Sequence, residues 1–326
     1  MNFRTQIQPL RKQDEISHDD RIFLIGSCFS DNVGQRLADR LFNVCRNPFG
    51  TLYNPASINT LLQRIVSGKS FSTGELVENS GLHHSFLCHS SLSSATPEKT
   101  VQRLNSRLEQ ARDFLSETTV AIITLGTAYV YTLVSDNRIV GNCHRFPASM
   151  FNRRRLTTDE TAGHIECIHD LFRTLNPRIK IIFTVSPIRH LADGLHENQL
   201  SKSTLLLAID RLCNDRSRNA MYFPAYEALM DDLRDYRFYA ADMKHPSDVA
   251  ADYIFQLFSD SFFSPRTVSL ANECKKLTTR AAHIRMTDNE TSFSEFKQKT
   301  DIMARDLART NPELSQPIAN FLSIEL

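Results

Sequence analysis

Three residues of the sequence have the side-chain types that activate a nucleophile, although they lie far apart along the chain. Ser27 follows a glycine near the start, and Asp242 and His245 stand three positions apart much later. A serine hydroxyl is a weak nucleophile until a base removes its proton, and that base needs a carboxylate to orient it. The three residues therefore predict a site in which Ser27 is the nucleophile, His245 the base and Asp242 its orienter.

The position of Ser27 relative to the predicted elements suits this role. The apolar run at residues 21–25 predicts a buried strand that stops at Gly26, and the apolar spacing over residues 31–42 predicts a helix. Ser27 therefore lies where a strand passes into a helix. Ligands bind at the carboxyl ends of the strands in open parallel sheets, so this is the expected place for a catalytic side chain.

Strands and helices alternate along most of the chain. Apolar runs predict further buried strands at residues 120–125 and 179–185, and a weaker strand at 221–223. The predicted helices between and after them cover approximately residues 98–116, 157–175, 201–219, 224–233 and 248–258. This alternation indicates an α/β fold with a parallel sheet that is covered by helices on both faces.

Two segments depart from the alternation. Residues 67–96 are rich in serine, histidine and glycine and predict an ordered loop insertion. The last part of the chain has no strand pattern and predicts helices at residues 271–286 and 292–308. We therefore expect one α/β domain over residues 1–262 and a C-terminal helical arm over residues 263–326.

The charge balance excludes some classes of partner. Lysine and arginine number 38 against 37 aspartates and glutamates, a net charge of +1, which gives no electrostatic reason to expect a nucleic acid. No run of 18 apolar residues occurs, so we expect no membrane span, and the first residues do not have the pattern of a secretory signal. The composition is ordinary for a globular protein, and it leaves the oligomeric state open.

The seven cysteines are scattered and include no CxxC pair. Disulfide frameworks and zinc ribbons both need paired, patterned cysteines, so we expect reduced thiols in a cytoplasmic protein. Cys88 lies near His84 and His89, but these residues do not have the spacing of a zinc site. We expect neither a metal nor a cofactor.

The segment that contains Ser27 also carries a family resemblance. Gly26-Ser27-Cys28-Phe29-Ser30 matches the pentapeptide for which the GSCFA family is named, with serine in place of the final alanine. Further segments similar to the family's pattern follow in order, at residues 47–50, 53–55, 125–128, 142–144, 185–190, 201–203, 222–227 and 234–239. The chain thus resembles the GSCFA family over about residues 20–260. Through the early Gly-Ser and the late Asp-x-x-His, it also resembles the wider group of SGNH (GDSL-type) hydrolases.

The resemblance implies a three-layer, flavodoxin-like α/β fold and the hydrolysis or transfer of ester-linked acyl groups. An esterase, deacetylase or acyltransferase that acts on a small or sugar-linked ester is therefore the expected function. Carried over by position, Ser27, His245 and Asp242 keep the roles given above. The alternative is a binding or scaffold protein that retains the fold without catalysis, although such a protein has no need for all three residues.

The resemblance also implies an oxyanion hole, the set of donors that stabilises the charge developing on the substrate's carbonyl oxygen. The backbone N–H of Ser27 or Cys28 would be one donor, and Gly50 matches the position of the second. The third donor in the SGNH group is an asparagine, but the matching residue after Gly126 and Thr127 is Ala128. We expect Asn47, Asn54 or Thr127 to replace it.

Four more residues are candidates near the substrate. Cys28 is the better intrinsic nucleophile, but as the neighbour of Ser27 it should turn away from the site and serve in packing. His84 either makes a polar contact within its loop or lines the substrate mouth, and His144 lies near another strand end. Arg189 is expected either to clamp a carboxylate or phosphate of the substrate or to form a salt bridge with a nearby acid.

Overall fold

Ten strands and ten helices make up the regular structure within the described part of the chain. The computed structural model describes residues 4–10, 15–282 and 290–325. The strands are β1 (Arg21–Gly26), β2 (Asn43–Arg46), β3 (Val77–Asn79), β4 (Leu82–His84), β5 (Val120–Leu125), β6 (Tyr129–Leu133), β7 (Ile139–Val140), β8 (Phe151–Arg155), β9 (Lys180–Val185) and β10 (Ala220–Phe223). The helices are α1 (Cys28–Ala38), α2 (Pro55–Ser67), α3 (Pro97–Ser116), α4 (Thr158–Leu175), α5 (Gly194–Asn214), α6 (Ala225–Glu227), α7 (Asp248–Phe262), α8 (Pro265–Ala281), α9 (Glu290–Thr310) and α10 (Ser315–Glu325).

The central sheet has five parallel strands in the order β10–β9–β5–β1–β2. Counted along the chain, this is the 2-1-3-4-5 order of flavodoxin-like folds. Strands β1, β5 and β9 are almost wholly buried, which is why they appear in the sequence as continuous apolar runs. The order changes direction between β1 and β5, and the loops after these two strands are therefore the expected ligand site.

Alternate side chains of each strand enter two separate apolar layers. Phe23 and Ile25 pack with α2, α3, α4 and α5 on one face of the sheet. Ile22 and Leu24 pack with α1 and α7 on the other face. Burial of each such side chain contributes about 2 kcal/mol, so these layers hold the strand ends rigidly. The three-layer α/β architecture predicted from the sequence is confirmed.

Two small antiparallel sheets extend the core. Strands β3 and β4 form a hairpin within the predicted insertion at residues 67–96, and β7–β6–β8 form a sheet between β5 and α4. The three-stranded sheet forms one wall of the cleft described below. Within the described ranges, no helix is both long enough and apolar enough to span a membrane.

The C-terminal region is helical, as predicted. Helices α8, α9 and α10 share an apolar cluster with Leu41, and Lys275 Nζ lies 2.7 Å from Asp39 Oδ2 at the end of α1. The predicted helix at 292–308 falls within α9, whereas residues 283–286 of the other predicted helix lie outside the described residues. The division into domains at residue 262 stays a prediction.

Candidate active site

Asp242 and His245 contact each other on one turn. His245 Nδ1 lies 2.5 Å from Asp242 Oδ2, and Asp242 Oδ1 accepts the backbone N–H groups of His245 and Lys244, each at 3.0 Å. These hydrogen bonds, chiefly the one from the His245 backbone, hold the pKa of Asp242 well below its usual range. The carboxylate is therefore ionised and accepts the Nδ1 proton, which leaves Nε2 as the acceptor of the ring.

Hydrogen bonds stabilise both ends of the turn that contains Asp242 and His245. Backbone hydrogen bonds of 2.8 Å join the Ala240 N–H to the His245 carbonyl and the Ser247 N–H to the Phe238 carbonyl. Ser247 also caps α7, since its hydroxyl accepts the Ala250 N–H at 3.3 Å. The pair is thus attached to a helix that packs against the central sheet.

His245 Nε2 faces the thiol of Cys28. The distance from Nε2 to Sγ is 3.9 Å, within reach of a hydrogen bond to sulfur. Cys28 is the first residue of α1 and is half-buried, and burial raises the pKa of its thiol. The thiol therefore keeps its proton at neutral pH, and His245 Nε2 stands where a base must stand to remove it.

Ser27 is placed differently from the expectation. Its side chain is buried, and its Oγ accepts the Phe29 N–H at 3.3 Å, so Ser27 is the N-cap of α1. No hydrogen bond joins Ser27 to His245 in the described structure. The two neighbours do point in different directions, as the sequence predicts, but it is Cys28 that faces His245. The reason is the helix start: the residue before the helix turns its side chain back onto the helix N–H groups, whereas the first helical residue projects outward.

Gly26 explains why the strand and the helix can meet so closely. Its φ of 146° is rarely adopted by other residues, and a Cβ at this position would lie 2.1 Å from the Thr124 carbonyl oxygen of β5. The Ser27 N–H then donates to the same carbonyl at 3.0 Å. Glycine at position 26 is therefore a structural requirement of the β1–α1 turn, independent of any role of the serine hydroxyl.

Two residues that line the cleft have a donor without a hydrogen-bond partner in the described part of the chain. The Cys28 N–H, at the positive end of α1, donates to no backbone carbonyl among the described residues. Asn54 caps α2 through Oδ1, which accepts the Ser57 N–H at 2.8 Å, while its Nδ2 has no hydrogen-bond partner among those residues. Asn54 lines the cleft together with Cys28 and His245. Of the three side chains expected to replace the missing asparagine, Asn54 is the one whose donor atom has no hydrogen-bond partner among the described residues.

Asn47 and Gly50 use their N–H groups within the protein, in hydrogen bonds that support the turn after β1. Asn47 Oδ1 accepts the Gly26 N–H at 2.8 Å, and its Nδ2 donates to the Ser27 carbonyl at 3.4 Å. The Gly50 N–H donates to the Asn47 carbonyl at 2.7 Å, so it is already occupied. Gly50 is needed for another reason, since its φ is 85° and a Cβ there would lie 2.1 Å from His89 Cβ. The expected use of the Gly50 N–H in the oxyanion hole is not seen.

A buried lysine joins the ends of two central strands beneath the site. Lys202 Nζ donates to the carbonyls of Gly126, after β5, and Ser186, after β9, both at 2.7 Å. The side chain is wholly buried, and burial lowers its pKa to about 7. The sequence contained a signal for this role, namely a lysine on the apolar face of a predicted helix. Thr127, beside Gly126, lines the cleft, and its hydroxyl lies 3.0 Å from Ser201 Oγ.

His84 and His144 lie outside the cleft. His84 lies in the insertion and His144 in the loop after β7, and their buried rings stack with centroids 4.3 Å apart. His84 Nδ1 bonds Ser93 Oγ at 2.7 Å, and His144 Nε2 bonds the Ser85 carbonyl at 2.8 Å. Of the two roles considered for His84, the structure shows the polar contact within its loop, and neither histidine lines the cleft.

The cleft beside Cys28 has a volume of about 490 Å³. Arg189 and His190 line it from the loop after β9, and Tyr53 lines it from the segment before α2. The His190 ring meets the Tyr53 ring edge-on with centroids 5.4 Å apart, and burial lowers the pKa of His190 to about 4. His190 is therefore neutral at physiological pH. Neither His190 nor Tyr53 is predicted from the sequence to belong to the site, since neither has a chemical partner nearby in the chain.

These groups can carry out nucleophilic attack on a carbonyl carbon. His245 contacts the Cys28 thiol through Nε2 and the Asp242 carboxylate through Nδ1, and the residues that carry the two donors line the same cleft. Cys28 follows β1, Asn54 precedes α2, and Asp242 and His245 lie in the turn before α7. The cleft therefore lies at the carboxyl end of the sheet, as expected for a flavodoxin-like fold.

Comparisons with known proteins place the chain in a family. A solved structure similar to the chain is the "Crystal structure of a carbohydrate esterase family 3 from Talaromyces cellulolyticus", with a TM-score of 0.36 and 7% sequence identity over 78% of this chain and 99% of that one. No curated protein matches the chain. The model of the GSCFA family matches residues 21–258. The chain belongs to the GSCFA family.

Proposed function

We propose that the protein is an acyl-transfer enzyme of the SGNH type, an esterase, deacetylase or acyltransferase, in which Cys28 is the nucleophile. The observation that carries the proposal is the alignment of Cys28 Sγ, His245 and Asp242, with Nε2 at 3.9 Å from the sulfur and Nδ1 at 2.5 Å from the carboxylate. This replaces the serine nucleophile expected from the sequence. The substrate class stays as expected, a small or sugar-linked ester.

The reaction has two stages. In the first, His245 Nε2 takes the thiol proton and the Cys28 sulfur attacks the acyl carbon. The bond from that carbon to the alcohol oxygen breaks, and His245 returns the proton to the departing alkoxide. In the second, His245 removes a proton from water or from an acceptor hydroxyl, whose oxygen attacks the thioester. The Cys28 thiolate leaves and recovers its proton from His245.

The charge that develops on the carbonyl oxygen needs donors that are already in position. The Cys28 N–H and Asn54 Nδ2 fit this role, and one such donor contributes about 3 kcal/mol to transition-state stabilisation. The positive end of α1 also favours the thiolate during its brief existence. Asp242 keeps the imidazole in the required tautomer and balances the positive charge of the protonated ring.

The experiment that tests this function is acyl-enzyme trapping. The protein is mixed with p-nitrophenyl acetate, quenched in acid, and analysed by intact mass and by fragmentation of the peptide that contains residues 27 and 28. We expect one acetyl group per chain on Cys28, removable by neutral hydroxylamine, which cleaves thioesters faster than oxygen esters. An acetyl group on Ser27 would overturn the thiol assignment. No adduct, with no turnover, would favour the non-catalytic binding protein.

A further inference from the structure

A second cleft adjoins the first and is not used by the chemistry proposed above. It has a volume of about 620 Å³ and shares two lining residues, Arg189 and Leu191, with the cleft that contains Cys28. The loop after β9 therefore forms a common wall. A substrate that extends beyond the scissile bond has a continuous surface to occupy along this wall.

Arg189 is a half-buried cation without an acidic partner among the described residues. Its Nη2 contacts Met230 Sδ at 3.0 Å, and the tyrosines Tyr226 and Tyr239 line the same cleft. The salt-bridge alternative raised by the sequence is therefore not realised. A guanidinium that is partly removed from water and unpaired is unfavourable, and a carboxylate or phosphate satisfies its planar donors best.

The other charged residues of this cleft are at its exposed rim. Asp231, Arg234 and Asp235 are all exposed, and Asp235 is bound to Arg237 at 3.0 Å. Charges at the rim interact weakly through water. The negative charges of Asp231 and Asp235 are also partly offset by the positive charges of Arg234 and Arg237. Arg189 lies in the wall of the cleft. There, the attraction between its guanidinium and an anionic group is screened less by solvent than it is at the rim.

The rim is also unusually apolar. Side chains of Leu191, Leu195, Tyr236 and Met243 are 37%, 60%, 77% and 53% exposed, and they are four of the ten large hydrophobic side chains that are exposed in the described part of the protein. Met243 has a φ of 57°, a conformation that is uncommon for a residue other than glycine. This conformation occurs within the Asp242–His245 turn and places Met243 on the second cleft, whereas His245 lines the first.

We propose that the second cleft binds the part of the substrate remote from the scissile bond, and that this part is an apolar or aromatic group carrying an oxyanion, held by Arg189. The apolar rim accepts the hydrocarbon portion, and the guanidinium accepts the carboxylate or phosphate. As a substrate subsite, the assignment rests on the proposed function of the Cys28 cleft. The binding of an oxyanion does not require the chemistry and is tested separately.

The test is equilibrium binding to the full-length protein by isothermal titration calorimetry. Phenyl phosphate is the probe, because it combines an aromatic ring with an oxyanion, and inorganic phosphate and benzyl alcohol each supply one half of it. We expect phenyl phosphate to bind about tenfold more tightly than either comparator. Equal binding of all three probes, or no saturable binding of phenyl phosphate, overturns the proposal.

Variants assign the binding to the cleft. Arg189→Gln should weaken phenyl phosphate binding about tenfold or more, and Leu195→Asp, at an exposed position that folding does not require, should weaken it about fivefold by repulsion. Arg237→Gln is the matched control: it removes a cation from the neighbouring turn but lines neither cleft, and it should bind as wild type does. Wild-type affinity in both Arg189→Gln and Leu195→Asp overturns the proposal.

The two proposals fail in different ways. Acetylation of Cys28 without Arg189-dependent binding supports the proposed chemistry and contradicts the subsite. Arg189-dependent binding without an acyl-enzyme supports the oxyanion site and contradicts the proposed function.

Discussion

Cys28 Sγ and His245 Nε2 lie 3.9 Å apart, although 217 positions separate the two residues in the chain. The sheet topology produces this contact, because α1 follows β1 on the same face that α7 covers. The ion pair between Arg36 and Asp252, 2.8 Å long, joins the two helices alongside it. The thiol thus lies on one of two packed helices, and His245 lies on a hydrogen-bonded turn that leads into the other.

The first prediction separates the two adjacent candidates for the nucleophile. Cys28→Ala should lower the rate of p-nitrophenyl acetate hydrolysis about a thousandfold or more, because no other group replaces the attacking sulfur. Ser27→Ala should retain the chemistry but lower the stability by about 1 kcal/mol, because it removes the N-cap of α1. The measurements are steady-state kinetics and denaturant unfolding of both variants.

A second thiol provides the control for the cysteine variant. Cys167 is exposed and lies on α4, away from both clefts, so Cys167→Ala should keep the wild-type rate. If Ser27→Ala abolishes hydrolysis while Cys28→Ala preserves it, the nucleophile is the serine that the sequence predicted.

The second prediction concerns Asp242, the carboxylate that orients His245. Asp242→Asn should lower kcat about a thousandfold or more, because an amide in this position can donate to Nδ1 and stabilise the wrong tautomer of His245. Asp136 is a matched control, since it too is a turn aspartate whose carboxylate accepts a nearby backbone N–H. Asp136→Asn should leave kcat unchanged. A similar loss of kcat in both variants would show that the effect is not specific to the contact between Asp242 and His245.

The third prediction isolates the oxyanion donor from the helix cap, since Asn54 supplies both. Asn54→Ser keeps an oxygen that can cap α2 but removes the Nδ2 donor. We expect kcat to fall about a hundredfold while stability changes by less than about 1 kcal/mol. Kinetics and chemical unfolding on the same preparation give both values. If the variant has the wild-type kcat, Asn54 is not a donor of the oxyanion hole.

The central strands could be predicted because burial on both faces leaves a local signal. Residues 120–125 were predicted as a strand and form β5 with the same bounds. Strand β2 and the sheet β7–β6–β8 were not predicted. Strands β2, β7 and β8 are short or polar, and the pairing of the strand-like sequence of β6 depends on them. Helix α2 was also not predicted, although Asn54-Pro55 has the residues typical of a helix start.

The candidate site was predictable where its contacts are local. Asp242 and His245 are three positions apart on one turn, so their pairing could be expected from spacing alone. Which of Ser27 and Cys28 faces His245 could not be predicted from the sequence, because it depends on where α1 begins. The predicted helix started at Asp31, whereas α1 starts at Cys28, and this shift of one turn makes Ser27 the cap and directs Cys28 toward His245.

The fourth prediction concerns the buried lysine. Lys202→Met fills a similar volume but cannot donate to the carbonyls of Gly126 and Ser186. Each buried carbonyl left without a partner costs about 1–3 kcal/mol, so we expect a loss of about 2–5 kcal/mol in the free energy of unfolding. Lys69 lies exposed at the end of α2, and Lys69→Met should be close to neutral. A Lys202→Met protein as stable as wild type would contradict the bridging role.

The same lysine should make stability depend on pH in a defined direction. Its pKa falls from 10.5 to about 7 on folding, so between these values the unfolded chain holds a proton that the folded protein has released. Stability must then rise with pH, and the difference in unfolding free energy between wild type and Lys202→Met should grow by about 2 kcal/mol from pH 7 to pH 9. Cys28, Arg189 and Tyr226 lie nearby, but both proteins contain them, so the difference isolates the lysine. Chemical unfolding at three pH values measures it. A difference that stays constant would mean that the two carbonyls keep the folded amine protonated.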